Sequence, residues 1–298
     1  MFTELLNIKK FIDHHPLAGR NKLKAYRHFM YWQISQLIYP HKIKVPFVGN
    51  TKLFVGKGMK GATGNIYTGL HDFTDMGFLL HFLRKGDLFF DVGANVGSYT
   101  ILASGCAGAT SFSFEPVPGT FESLKRNIGI NHLSGLVNAL NIGAGSIKST
   151  LLFTKMDDAL NHVVSEAEMN SGECIEVPVD TIDNIAIRAG TPMMVKIDVE
   201  GFETEVLNGM QTCLANDNLK VIIIELNGSG GRYGYDENRI DELLRKHTFQ
   251  PYDYDPFTRK LVVMKEKGIF NTIYARDLEF VRKRIETAEK IKVFAEEF

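Results

Sequence analysis

Between Leu88 and Thr100 the chain runs through a short apolar stretch into Asp91, a tight turn flanked by Gly93 and Gly97, and a helix that starts at Ser98. No other segment restricts the fold as strongly. A buried strand that passes straight into a helix through glycines is the opening unit of a parallel sheet covered by helices. Glycines there let the backbone approach a ligand closely, and the first N–H groups of the helix lack internal partners. The loop therefore reads as a cradle for a cofactor.

Spacing narrows which one. A dinucleotide fingerprint started at Gly93 needs glycines two and five residues later, where the chain has Asn95 and Ser98. A P-loop needs a lysine, and Gly97-Ser98-Tyr99 has none. An acid two residues before the first glycine would repel a pyrophosphate but suits the α-ammonium of S-adenosylmethionine. Glu115 closes the next strand, 24 residues after Asp91. That is near the roughly 20-residue offset at which an acid holds ribose hydroxyls.

The rest of the chain carries the same strand–helix rhythm. Thr110–Phe114, Leu136–Ile142, Met193–Ile197 and Val221–Leu226 are apolar strands, the last two continuous runs of the kind buried on both faces. A helix carrying Phe121, Leu124 and Ile128 and another carrying Val206, Met210 and Leu214 lie between them. Shorter strands are expected at Leu151–Thr154, Ile175–Val179, Leu261–Met264 and Thr272–Tyr274. Ahead of this stand a helix over Asn21–Leu37, stopped by Pro40, a hairpin turning at Gly49-Asn50, and a helix over Thr74–Leu83. The fold class is α/β, a Rossmann-like, doubly wound, mostly parallel sheet with an N-terminal helix and hairpin extension. We divide it into an extension (1–73) and a cofactor-binding domain (74–298).

Three segments resemble the motifs of the FkbM-type S-adenosylmethionine-dependent methyltransferases: Asp91–Gly97, Phe114-Glu115-Pro116, and Lys196-Ile197-Asp198-Val199-Glu200-Gly201. Their order and spacing are similar from about Tyr67 to Leu226. The resemblance implies a class I methyltransferase fold and methyl transfer, most often to a hydroxyl of a sugar or natural product. For the cofactor it points to Asp91, Gly93, Asn95, Gly97, Glu115, Pro116 and Ile142.

Methyl transfer is an in-line displacement, so acceptor and methyl must be held in register, and a hydroxyl acceptor must lose its proton to a base or a metal. Such groups gather at the carboxyl ends of strands. Asp198 and Glu225 are expected to be catalytic there, with Glu200 and Asn227 on the acceptor. His162, in the polar stretch from Asp158 to Val163, is a second candidate base, because an ordinary histidine titrates near neutrality. Tyr67, His71, Asp72 and Asn161 are expected to rim the acceptor pocket. Asp198, Glu225 and Asn227 together could bind Mg²⁺, but the metal-free reading is favoured, since too few ligands are identified for a hard cation.

Composition bounds the remainder. With 298 residues, 44% hydrophobic and 23% charged, the chain has the make-up of a globular protein. Cys106, Cys174 and Cys213 are odd in number and lack zinc-site spacing. No signal peptide or membrane span is legible, so a cytoplasmic location is expected. The net charge of −1 hides an asymmetry, because residues 1–60 carry eleven Lys or Arg against Glu4 and Asp13. That basic front end, with the stripe Phe280, Val281, Ile285, Ala288 and Ile291, could make peripheral contact with an anionic membrane or a lipid-linked glycan, though packing of the stripe on the domain and a solvated basic face are the commoner arrangements. The expected partner is a glycan or small-molecule hydroxyl acceptor. The alternatives are a nucleic-acid methyltransferase and a non-catalytic binding protein on the same fold. Asp198-Val199-Glu200-Gly201 stands where base-methylating enzymes resemble one another through Asn/Asp-Pro-Pro-aromatic, so no specific nucleic acid is expected. Carboxylates retained at strand ends argue against a relic.

Overall fold

The computed structural model describes residues 2–39, 41–56, 58–154, 161–165, 168 and 173–298. Pro40 and Asp158 lie outside them. The chain starts with helices α1 (Phe2–His14) and α2 (Lys22–Ile38). An antiparallel hairpin follows, β1 (Ile43–Pro46) and β2 (Lys52–Val55), paired from Ile43↔Val55 to Pro46↔Lys52. Helices α3 (Lys60–Thr68) and α4 (Phe73–Phe82) lead into the sheet.

The alternating part comprises β3 (Leu88–Val92), α5 (Ser98–Ile101), β4 (Thr110–Phe114), α6 (Pro118–Ile130) and β5 (Val137–Leu140). Three strands then form a side sheet: β6 (Gly143–Ala144), β7 (Ser149–Thr154) and β8 (Cys174–Asp180). After α7 (Ile182–Ala189) come β9 (Met194–Ile197), α8 (Glu203–Asn208), α9 (Gln211–Ala215), β10 (Val221–Glu225) and α10 (Asn238–Lys246). The chain closes with β11 (Gln250–Asp255), β12 (Lys260–Val263), β13 (Asn271–Ala275) and α11 (Leu278–Glu286).

The eight-stranded sheet has the order β12-β11-β13-β10-β9-β3-β4-β5. Strands β10, β9, β3, β4 and β5 are parallel, and β13 runs antiparallel to both its neighbours. The α/β, mostly parallel, doubly wound architecture is the expected one. The order switches direction between β3 and β9, the crevice where such sheets bind ligands.

Successive residues of each strand face opposite layers. Phe89, Met194 and Ile223 pack with Phe78, Phe82 and Leu102 on one face, while Phe90, Val195, Ile222 and Ile224 pack with Val206 and Leu214 on the other. Each such side chain, fully removed from water, contributes about 1.5–3 kcal/mol. A third cluster joins Phe29 and Trp32 of α2, Leu53 and Val55 of β2, Val96, and Leu124 and Ile128 of α6. The Asn127 carboxamide oxygen accepts from Phe54 N–H at 2.6 Å, and Asn131 exchanges bonds with both backbone groups of Lys52 at 2.8 and 2.7 Å. The N-terminal segment is thus bonded to the sheet's own helix layer.

Several elements depart from the sequence reading. Helices α1, α3 and α7 and strands β6 and β11 are additional to it, and the helix expected through Val206, Met210 and Leu214 is two short ones broken at Gly209. A Cβ built on Gly209 would overlap the Gly145 carbonyl oxygen, so backbone meets backbone there. The C-terminal apolar stripe is no membrane face. Helix α11 ends at Glu286, and its Val281 and Ile285 are wholly buried against the sheet's helix layer. Arg284 of this helix is tied to Asp87. Among the described residues no helix is long and apolar enough to cross a membrane.

Candidate active site at the carboxyl ends of the parallel strands

A cavity of about 270 Å³ opens over the ends of β3, β4, β9 and β10. Its floor is the loop after β3. Gly93 sits at φ +80°, and a Cβ built on it would overlap the Asp198 carbonyl oxygen, so only glycine fits. Gly93 N–H and Ala94 N–H both donate to Phe114 O, at 3.0 and 2.9 Å. Asn95 adopts φ +51°, a left-handed conformation asparagine tolerates, and its side-chain oxygen accepts from Val96 N–H at 2.7 Å. Gly97, at φ +91°, caps α5 and packs against Leu124. It shapes the turn and does not itself line the cavity.

Two groups of acids surround this floor. Asp91 is buried at the end of β3 and accepts from Thr100 Oγ1 at 2.6 Å. Burial pushes its carboxyl up, partly offset by the charge of Lys196. Glu115 is buried too, and accepts Asn95 N–H at 3.0 Å on one oxygen and Val117 N–H at 2.9 Å on the other. Burial still holds it up at about 7. Pro116 and Ile142 line the same side of the cavity, and Asn141 donates to the carbonyl oxygens of Glu115 and Pro116, both at 2.8 Å.

The second group is Asp198, Glu200 and Glu225, with carboxylate oxygens within 4.8 Å of one another. Parallel pairing of β9 with β10 sets the ends of the two strands side by side, which brings Asp198 and Glu225 together. Burial would raise Asp198, but the Lys196 ammonium at 2.7 Å outweighs it and holds the carboxyl below its usual range. Burial and the Asp198 charge raise Glu225 to about 9, and the two side chains are hydrogen-bonded. Around neutrality the pair therefore shares one proton, with Asp198 ionised and Glu225 protonated. Glu200 is in the left-handed region at φ +56°, and its carbonyl accepts from Arg232 at 3.0 Å. Buried Glu203 accepts Val199 N–H and Gly201 N–H, both at 3.1 Å, which fixes the turn carrying Glu200.

Lys196 is the cation between the two groups. It is 3% exposed, pairs in register with Asp91 across β3 and β9, and lies 4.7 Å from the centre of the Tyr99 ring. Burial disfavours its charge, but Asp198 and Asp91 more than compensate, so it stays protonated.

The N-terminal segment roofs the cavity. Gly61, Ala62, Asn65, His71 and Asp72 line it. Asn65 bridges the two halves, donating to Ser98 Oγ at 3.1 Å and accepting His71 N–H at 2.7 Å. Tyr99 O–H donates to Asp72 at 3.1 Å.

Of the acceptor and base candidates, His71, Asn161, Glu200, Asp198 and Glu225 line this cavity, whereas Tyr67, His162 and Asn227 do not. Tyr67 is buried edge-on against Phe29 at 5.2 Å, because its side of α3 packs on α2. The His162 ring is buried and bonded to Glu168 at 3.1 Å and does not line the cavity, while Asn161 and Val163 beside it do. Asn227 is exposed and its side chain accepts from Ser229 N–H at 2.9 Å, capping its own loop. Asp198, Glu200 and Glu225 are thus the acids whose oxygens converge, and Asn227 does not join them in the cavity. Tyr99, Asn65, Glu203 and Asn271 have no role in the sequence reading, and Lys196 enters it only as the first residue of the Lys196–Gly201 motif. Only Lys196 had a signal, a charge inside a four-residue buried strand.

Over 169 residues the chain is 30% identical to hexuronic acid methyltransferase AglP of Haloferax volcanii, covering 56% of this chain and 64% of that one. It is 29% identical over 209 residues to 31-O-demethyl-FK506 methyltransferase FkbM of Streptomyces tacrolimicus, covering 59% of this chain and 78% of that one. The match thus spans less than two thirds of the archaeal relative. Superposition on the crystal structure of methyltransferase FkbM from Methylobacillus flagellatus KT gives a TM-score of 0.44 at 15% identity, over 72% of this chain and 52% of the other. Residues 91–251, more than half of the chain and the whole of both carboxylate groups, match the methyltransferase FkbM domain, and the chain belongs to that family.

Proposed function

We propose that the protein is an S-adenosylmethionine-dependent O-methyltransferase acting on a hydroxyl of a glycan or sugar-bearing metabolite. The observation that carries this reading is the hydrogen-bonded Asp198–Glu225 pair facing the Asp91 and Glu115 side across one cavity. The residues fit the cofactor: Gly93 leaves a cradle that a Cβ would fill, Asp91 offers charge to an ammonium, and Glu115 offers acceptors to ribose hydroxyls. When bound, S-adenosylmethionine supplies a sulfonium methyl group to the acceptor oxygen.

The chain's own part is to orient that oxygen and remove its proton. As the new carbon–oxygen bond forms, the hydroxyl becomes strongly acidic, so even a carboxylate held at low pKa by Lys196 can take the proton. Asp198 is that acceptor, Glu225 holds it in place through the shared proton, and Glu200, His71 and Asn161 line the acceptor side. Lys196 already supplies a cation to Asp198, which favours chemistry without a metal. We assign residues 74–298 to the cofactor-binding unit and 1–73 to an extension that roofs the cavity. The sugar in the name of the archaeal relative and the oxygen in that of the bacterial one support the acceptor class.

The test is transfer of labelled methyl groups from S-adenosylmethionine to cell extract fractionated into glycan, lipid, nucleic acid and small molecules. Label is expected in the glycan or small-molecule fraction and turnover should be indifferent to EDTA. Label confined to nucleic acid overturns the acceptor class, and loss of turnover with EDTA that Mg²⁺ restores overturns the metal-free reading.

A further inference from the structure

Helix α2 is apolar on two sides. One side carries Ala25, Phe29 and Trp32 into the core shared with α3 and α6. The other faces solvent with Leu23, Met30, Tyr31, Ile34, Leu37 and Ile38, of which Leu23 and Leu37 are 84% and 85% exposed. At about 100° per residue these six, with Arg27, occupy a stripe roughly 120° wide. With the opposite side already packed in the core, an exposed stripe this rich in large apolar side chains marks a docking surface.

The charge on and beside the stripe identifies its partner. Helix α2 contains Lys22, Lys24, Arg27 and His28 and no acid. Lys9 and Lys22 are paired with Asp13 and Lys42 is bonded to Ser123, whereas Lys10 of α1 and Lys44 of the hairpin are exposed, and residues 1–60 as a whole are strongly basic. A second copy laid on the same face by two-fold symmetry would bring like charges together. The stripe is also too small for that: about 26 Å long and about 10 Å wide, it covers roughly 260 Å², against about 800 Å² per partner in a stable dimer. An anionic lipid surface meets both features at once. It takes the apolar side chains into the boundary between headgroups and acyl chains, and it attracts the cations. We propose that α2 docks the enzyme in the plane of an anionic membrane through Leu23, Met30, Ile34 and Leu37, with Arg27 on the stripe and Lys24 at its edge meeting the headgroups. The proposal rests on α2 alone and stands apart from the reading of the active site.

Flotation of the full chain with vesicles of phosphatidylcholine, with and without phosphatidylglycerol, tests it. Binding should be about tenfold stronger to the anionic vesicles, should weaken with added salt, and should be lost in the double variant Ile34→Glu, Leu37→Glu. Both positions face solvent, so circular dichroism and the melting temperature of that variant should match those of the wild type. No flotation, equal flotation on neutral vesicles, or wild-type flotation by the variant overturns the proposal. A dimer in analytical ultracentrifugation that the double variant dissolves overturns it in favour of a second copy.

Discussion

The two groups of acids at the sheet's carboxyl edge are solved in opposite ways. On the β3 and β4 side each carboxylate has its own donors: a threonine hydroxyl for Asp91, two backbone N–H groups for Glu115. On the β9 and β10 side the carboxylates face one another and share one lysine and one proton. Donors fixed in advance suit recognition, because a bound group adds to a satisfied site. Crowded like charges suit chemistry, because they keep a proton acceptor poised at a position that a relaxed site would not hold. The comparison teaches that the cavity is divided between holding and reacting, and mutation should separate the two.

The largest effect is expected at Asp198. Asp198→Asn keeps the shape but cannot take a proton, so turnover should fall about 10²–10⁴-fold while stabilisation of the fold by S-adenosylhomocysteine persists. Turnover within a few-fold of wild type removes Asp198 from the proposed role.

Lys196→Met strikes the link between the groups. It leaves Asp91 and Asp198 buried without their shared cation, and removing one partner of a buried pair costs about 3–5 kcal/mol. Urea denaturation should register that loss. A midpoint unchanged from wild type would show that the two groups are independent.

How much of this was legible beforehand follows from what fixes each part. Strands β9 and β10 could be read because Met194–Ile197 and Val221–Ile224 are buried on both faces, and continuous apolar runs say so. Asp91, Glu115, Asp198 and Glu225 could be read because parallel strands deliver their last residues to one edge. Helix α3 could not be, since Gly61 and Gly64 are poor helix formers and Asn65, through its bonds to Ser98 and His71, ties the segment in place. Strand β11 carries Pro251 yet pairs with β12 on one side and β13 on the other, a tertiary choice that local pattern argues against. The bond of buried His162 to Glu168, and the capping of its own loop by exposed Asn227, are not visible in spacing.

Asp91→Ala tests the recognition side and should invert the Asp198→Asn result. Losing a charge-assisted contact of about 1.5–3 kcal/mol weakens S-adenosylhomocysteine binding roughly 10–100-fold, so the rise in melting temperature caused by the ligand should largely vanish. Wild-type binding by this variant would take the ammonium away from Asp91.

The smallest effect is in the pH dependence of stability, and its sign is fixed by Glu225. Its carboxyl is raised from an ordinary 4.5 to about 9, chiefly by burial and then by Asp198. Between those values the native state binds a proton that the unfolded chain has released, so stability falls as pH rises through the window, at up to about 1.4 kcal/mol per pH unit for one group. Glu115, Glu203 and Asp75, each raised to about 7, add to the fall up to that pH and not beyond. Above about pH 7 the remaining slope therefore belongs mainly to the reacting pair. Glu225→Gln copies the protonated form, still donating to Asp198 but unable to ionise. Urea denaturation at pH 7 to 9 should show a declining midpoint in the wild type and a flatter one in the variant. An equal slope in both would mean that Glu225 is already ionised beside Asp198, and the proton-sharing half of the comparison would be lost.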